Sequence, residues 1–119
     1  MFVKSLSACP PLVANDGCTL REVLHPKNDP IALPYSLAVA EVAVGEQSYR
    51  HRLAQDEVYY VLAGRGLMHV DGETRELGPG DAVFIAGGKV QWIENAGAET
   101  LRFVALVSPP WRAEDDERL

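Results

Sequence analysis

With 119 residues the chain is long enough for one domain, and a domain of this size buries roughly two-thirds of the surface its unfolded form exposes. Hydrophobic residues at 47% and charged residues at 24% set it apart from disordered sequences, and no stretch approaches the ~20 consecutive apolar residues of a membrane helix. Eleven basic against seventeen acidic residues leave a net charge of −6, which repels phosphate backbones and anionic lipid, so neither nucleic acid nor a membrane surface is an expected partner.

The first residues contain Lys4, but Pro10 and Pro11 interrupt them before an apolar run develops. The segment makes a poor signal peptide and is read as part of the folded domain. Cys9 and Cys18 are too few for a disulfide framework. They are expected to be two small buried thiols, with a Cys9–Cys18 bridge as the alternative, in a reducing compartment, which places the protein in the cytoplasm.

From there on glycine and proline cut the chain into short apolar pieces. Thr19–Leu24, Ser36–Val44, Glu57–Ala63, Leu67–Asp71, Thr74–Leu77, Asp81–Ala86, Val90–Glu94 and Leu101–Val107 are rich in β-branched and aromatic residues and are bounded by turn formers. Such pieces read as strands, and their spacing of about ten residues is the rhythm of an all-β sandwich or barrel. Gly64-Arg65-Gly66 is expected to close a hairpin between the third and fourth strands, and Asp71-Gly72 another between the fourth and fifth. Glu57 to Asn95 then reads as a run of antiparallel hairpins. His25–Pro34 is loop-like, and Ser108–Leu119 forms a charged tail that either frays into solvent or docks through Trp111. One domain, residues 1–119, accounts for the whole chain.

Two glycine-delimited blocks carry the chemistry. In the first, Gly45, His51, Glu57 and Gly64 stand at the offsets of the pattern G-x5-H-x-H-x3-4-E-x6-G, with Leu53 in place of the second histidine. In the second, Gly80, Gly88 and Asn95 match G-x5-P-x-G-x2-H-x3-N, with Ala86 for the proline and Gln91 for the histidine. The chain here resembles the cupin superfamily, and the blocks span residues 45–95. The resemblance implies a double-stranded β-helix, that is, a jelly-roll barrel. It also implies a divalent first-row metal (manganese, iron, zinc or nickel) held by His51, Glu57 and Gln91. His51 and residue 53 share a strand face, so an H-x-H pair can chelate one ion, and Glu57 is expected to return its carboxylate on the neighbouring strand.

Leu53 removes one ligand and adds apolar surface, while the Gln91 carbonyl is a weak neutral donor. His25, Gln55, Asp56 or water are the further donors to consider. The alternatives are a metal-free barrel in which His51, Glu57 and Gln91 hydrogen-bond one another, with His51 and Glu57 free to act as acid and base. Leu53 and Tyr59 share the inward parity and are the candidate pocket residues, although core packing serves Tyr59 equally well. His69 is placed near Tyr60 on the outer face, Trp92 against another sheet or subunit, and Arg50 and Arg52 in solvent.

The stretch from Glu57 to Leu62 and the closing Ser108-Pro109-Pro110-Trp111 look like small stand-alone cupins of the mannose-6-phosphate isomerase-like type. The expected ligand is a small organic molecule and the expected assembly a homodimer. Three functions remain open: a metal-dependent dioxygenase, isomerase or decarboxylase; a metal-free binding or sensory module; and a metal-free isomerase or lyase using His51 and Glu57.

Overall fold

The structure is a computed structural model that describes every residue from Met1 to Leu119. Eleven strands are arranged in two antiparallel sheets. One has the order β1 (Leu12–Val13), β2 (Thr19–Leu24), β3 (Ser36–Val42), β10 (Leu101–Ser108), β5 (Asp56–Ala63), β8 (Ala82–Ile85). The other runs β11 (Asp116–Arg118), β4 (His51–Leu53), β9 (Val90–Asn95), β6 (Gly66–Val70), β7 (Glu73–Leu77). The only helical pieces are two single 3-10 turns, Leu6–Ala8 and Ala113–Asp115. None is long and apolar enough to cross a membrane. This is the all-β jelly-roll barrel that the strand rhythm and the two glycine blocks pointed to.

All eight expected strands are present, with ends displaced by no more than two residues. Side-chain alternation explains their burial. On β10, Leu101, Phe103, Ala105 and Val107 are buried while Arg102, Val104 and Leu106 are not. On β5, Glu57, Tyr59 and Val61 point inward between exposed Tyr60 and Leu62. Tyr59 packs its ring 4.3 Å from that of Phe103, at a 40° tilt. With Val61, Met68, Ile85, Ile93 and Leu101 these rings fill one end of the barrel, each fully buried side chain contributing about 2 kcal/mol.

The other end stays open because its facing pairs are small. Phe103 lies opposite Ala40 in the β3–β10 ladder, but one step along the same face Ala105 lies opposite Ala38. Two methyl groups stand where the filled end has an aromatic ring, and a cavity results.

The structure differs from the sequence expectations in three places. First, Gly64-Arg65-Gly66 does not close a hairpin. β5 pairs with β10 and β8, and β6 pairs with β7 and β9, so these residues carry the chain from one sheet to the other. Glycine is needed at 64 for packing as well as for its φ of 82°: a Cβ there would lie 2.7 Å from the Thr100 carbonyl oxygen. Glycine signals a reversal but does not name the strand that receives the chain. Within Glu57–Asn95 only β6–β7 is a hairpin, turned at Asp71-Gly72, both with positive φ. His69 accordingly lies opposite Trp92 of β9, with the two rings stacked at 4.2 Å, and nowhere near a β5 partner. Arg50 caps the other side of the stack, 4.9 Å from the Trp92 ring.

Second, the tail does not fray. β11 pairs with β4 in register, Asp116 opposite Leu53 and Arg118 opposite His51. Third, β4 and β5 are not neighbours. They belong to different sheets, so Glu57 faces His51 across the barrel.

Candidate functional site

The open end of the barrel holds a cavity of about 80 Å³, large enough for several ordered waters or a small organic body. Leu20, Leu24, Ala38, Leu53, Ala105 and Val107 give it apolar walls, and Asp16, His51, Glu57 and Asp116 converge at its polar side.

His51 is the centre of this group. As the first residue of β4 it points inward, with only 3% of its surface exposed. Its Nδ1 donates to Asp116 Oδ1 at 2.9 Å, and that carboxylate is steadied by the Trp111 indole N–H, 3.1 Å from Oδ2. The opposite ring nitrogen, Nε2, is buried without a hydrogen-bond partner; Asp16 Oδ2 stands 3.6 Å away, too far to accept from it. Burial disfavours a charged ring, but the Asp116 hydrogen bond and the charges of Asp16, Asp116 and Glu57 together outweigh it and raise the His51 pKa. Asp116 moves the other way. Its own burial favours the neutral acid, yet the contact with His51 and the Trp111 and Asn15 hydrogen bonds hold it below the usual carboxylate range.

Glu57 enters from the facing sheet. Burial pushes its pKa up to about 8; the pull of His51 and of Gln91 in the opposite direction is too small to cancel this. Gln91, opposite His51 in the β4–β9 ladder, donates through Nε2 to Glu57 Oε1 at 3.1 Å and accepts from the Tyr59 hydroxyl at 3.3 Å. Its amide is thus engaged at both ends, and it is set behind Glu57 with 1% exposure. Tyr59 likewise belongs to the core and acts on the site only through Gln91. It does not line the cavity, unlike Leu53, which does.

The side chains of His25, Gln55 and Asp56 are engaged by other partners. His25 lines the cavity, but its Nδ1 accepts from the Lys27 N–H at 3.1 Å, which leaves Nε2–H to donate to the Trp111 carbonyl at 2.8 Å. Gln55 bonds Asp115 Oδ2 at 2.7 Å and the Pro110 carbonyl. Asp56 is exposed and accepts from the Gly87 N–H. Cys9 and Cys18 are buried free thiols, and burial next to Asp16 pushes the Cys18 thiol far up.

Asp16 and Asp116 are the residues that sequence reasoning missed. Asp16 sits in the turn before β2, where its Oδ1 accepts from the Cys18 N–H and its carbonyl from the Tyr49 N–H. The Asp-Gly pair marks a turn in the sequence, but nothing local ties that turn to the barrel interior. Trp111 was the one legible sign that the tail returns. Its backbone N–H bonds Ser36 Oγ, and Lys27 lies 5.3 Å from its ring.

Comparison with known proteins agrees with this architecture. The cupin domain family Cupin_2 matches residues 38–107, which include His51, Glu57 and Gln91 but neither Asp16 nor Asp116. An uncharacterized protein of Methanocaldococcus jannaschii is 39% identical over 110 residues, covering 92% of this chain and 87% of that one. An oxalate-binding protein of Thermotoga maritima is 37% identical over 51 residues, covering 43% of this chain and 42% of its own. Among solved structures, a predicted oxalate decarboxylase from Thermotoga maritima superposes with a TM-score of 0.78 at 23% identity, covering 92% of this chain and 99% of that one. With its two glycine blocks, its jelly-roll barrel and a family match over more than half its length, the chain belongs to the cupin family.

Proposed function

We propose that this cupin binds a small organic molecule in its barrel and works on it through a proton-carrying pair, His51 and Glu57, without a resident metal. The supporting observation is the donor set. Of the positions that would hold manganese, iron, zinc or nickel, residue 53 is an apolar wall and the Gln91 amide is engaged between Tyr59 and Glu57. No three His, Cys, Asp or Glu side chains gather at ligand spacing. The residues present do not fit a metal centre.

They do fit acid–base work. Glu57, with its pKa near 8, keeps a proton at neutral pH and can donate it into the cavity. His51 is held by Asp116 with its unpartnered Nε2 available to a ligand atom, an orientation that favours taking or returning a proton. The apolar walls exclude bulk water and strengthen each of these interactions.

One observation favours a second reading. A carboxylate on one ring nitrogen and nothing on the other is also how a metal-binding imidazole is held. Elemental analysis of untagged protein, before and after incubation with manganese, iron, zinc and nickel salts, separates the two. The expected result is metal far below one equivalent in the wild type and in His51→Ala alike, with Leu53→His gaining metal. One equivalent retained by the wild type and lost in His51→Ala would establish the metal reading instead.

The same proposal takes the protein as a homodimer, supported by exposed Tyr60, Leu62 and Phe84 on the outer face of β5 and the edge strand β8. The free thiols suit a reducing compartment such as the cytoplasm.

A further inference from the structure

The charge of the cavity narrows what it can hold. Its polar lining consists of the carboxyl groups of Asp16, Glu22, Glu57 and Asp116, the imidazoles of His25 and His51, and the Ser36 hydroxyl; no lysine or arginine lines it. The nearby cations are engaged elsewhere. Lys27 pairs with Glu22 at 3.2 Å and rests over the Trp111 ring, and Arg21 turns outward to the Cys9 carbonyl. His25 has both ring nitrogens bonded to backbone. An anion entering the cavity therefore meets several carboxyl groups in an apolar enclosure, with His51 as the one available counter-group.

The same arrangement suits a ligand that brings its own hydrogen-bond donor. Asp16 Oδ2, 3.6 Å from His51 Nε2, flanks a buried, unpartnered ring nitrogen on a residue that is 3% exposed. A hydroxyl bridging them satisfies both, accepting from Nε2–H of the charged ring and donating to Asp16. An ammonium does so when the ring is neutral and Nε2 accepts, and in either case the hydrocarbon body lies against Leu20, Leu53 and Val107. Resting on the metal-free reading above, we infer that the ligand is a small uncharged or cationic molecule, an alcohol or an amine with an apolar body, and that this barrel rejects the carboxylate dianions and phosphosugars suggested by its similarities.

The test uses a matched series, pentylamine, pentanol and pentanoate, together with oxalate, titrated into untagged metal-free protein and followed by the amide resonances of His51 and Leu53. The amine and the alcohol are expected to bind, pentanoate at least about tenfold more weakly than pentanol, and oxalate not at all. Asp16→Asn is expected to weaken pentylamine more than pentanol and so abolish the preference for amine over alcohol, because the amide keeps an acceptor oxygen but loses the charge. Pentanoate or oxalate binding as tightly as pentanol, or no member of the series binding, overturns the inference. Oxalate binding that appears only with added manganese and vanishes in His51→Ala refutes the metal-free reading instead, so the two failures are separable.

Discussion

Glu57 shows how one side chain links burial to chemistry. A carboxyl group with its pKa raised from 4.5 to about 8 binds a proton in the folded protein that it has lost in the unfolded chain, throughout the interval between those values. Folding stability therefore falls as pH rises across that interval and levels off above it. The raised pKa of His51 contributes a decline of the same sign, because its stabilising contribution is complete below 6.5 and is lost as pH rises through its folded value. Asp116 has the opposite sign, its contribution being present above 3.8 and lost as pH falls. Glu57→Gln keeps the shape and a hydrogen-bonding end group but cannot ionise. Urea denaturation at several pH values is expected to show the variant gaining on the wild type from pH 4.5 to about 8, with only the His51 slope remaining. Parallel curves for the two proteins would mean that Glu57 ionises freely in the native state.

At the scale of elements, the short strand β4 is held from both sides. β9 pairs with it at only two positions, and β11 covers its other edge at three. Backbone bonds from Ala54 to Asp115 and from Leu119 to Arg50 extend that cover beyond the ladder. The last residues of the chain thus act as a strap across the strand that carries His51. Truncation after Ala113 is expected to cost about 3 kcal/mol, from several lost backbone bonds and the unpaired imidazole, and to remove protection of the Ala54 amide from hydrogen exchange. Asp116→Ala, which keeps the ladder, is expected to perturb His51 while leaving Ala54 protected. If both variants lost that protection equally, the strap would be acting through the Asp116 side chain and not through its backbone.

For the molecule as a whole, the two faces of the six-stranded sheet have different fates. The inner face builds the core and the cavity, and the outer face of β5 and β8 leaves Tyr60, Leu62 and Phe84 in solvent, Phe84 at 64% exposure on an edge strand. Light scattering is expected to give twice the chain mass, and Phe84→Glu to give the single mass with an unchanged far-ultraviolet circular dichroism spectrum. A wild-type protein of single mass at working concentration would remove the dimer from the proposal.

How much of this could be read beforehand follows from the range of each determinant. Strand positions, the Asp71-Gly72 turn, and the inward parity of His51, Leu53, Glu57 and Gln91 were legible because alternation and turn chemistry are local, reaching only a few residues along the chain. The glycine blocks extended that reach to the fold, since their offsets encode a whole barrel. The strand that receives the chain after Gly64, the seating of Gln91 behind Glu57, and the arrival of Asp16 and Asp116 on either side of one imidazole were decided by tertiary structure. Asp16 and Asp116 lie one hundred residues apart in a turn and a tail whose local sequence is merely polar. Only closure of the two sheets, with a strap returning over β4, converts that polarity into a buried site.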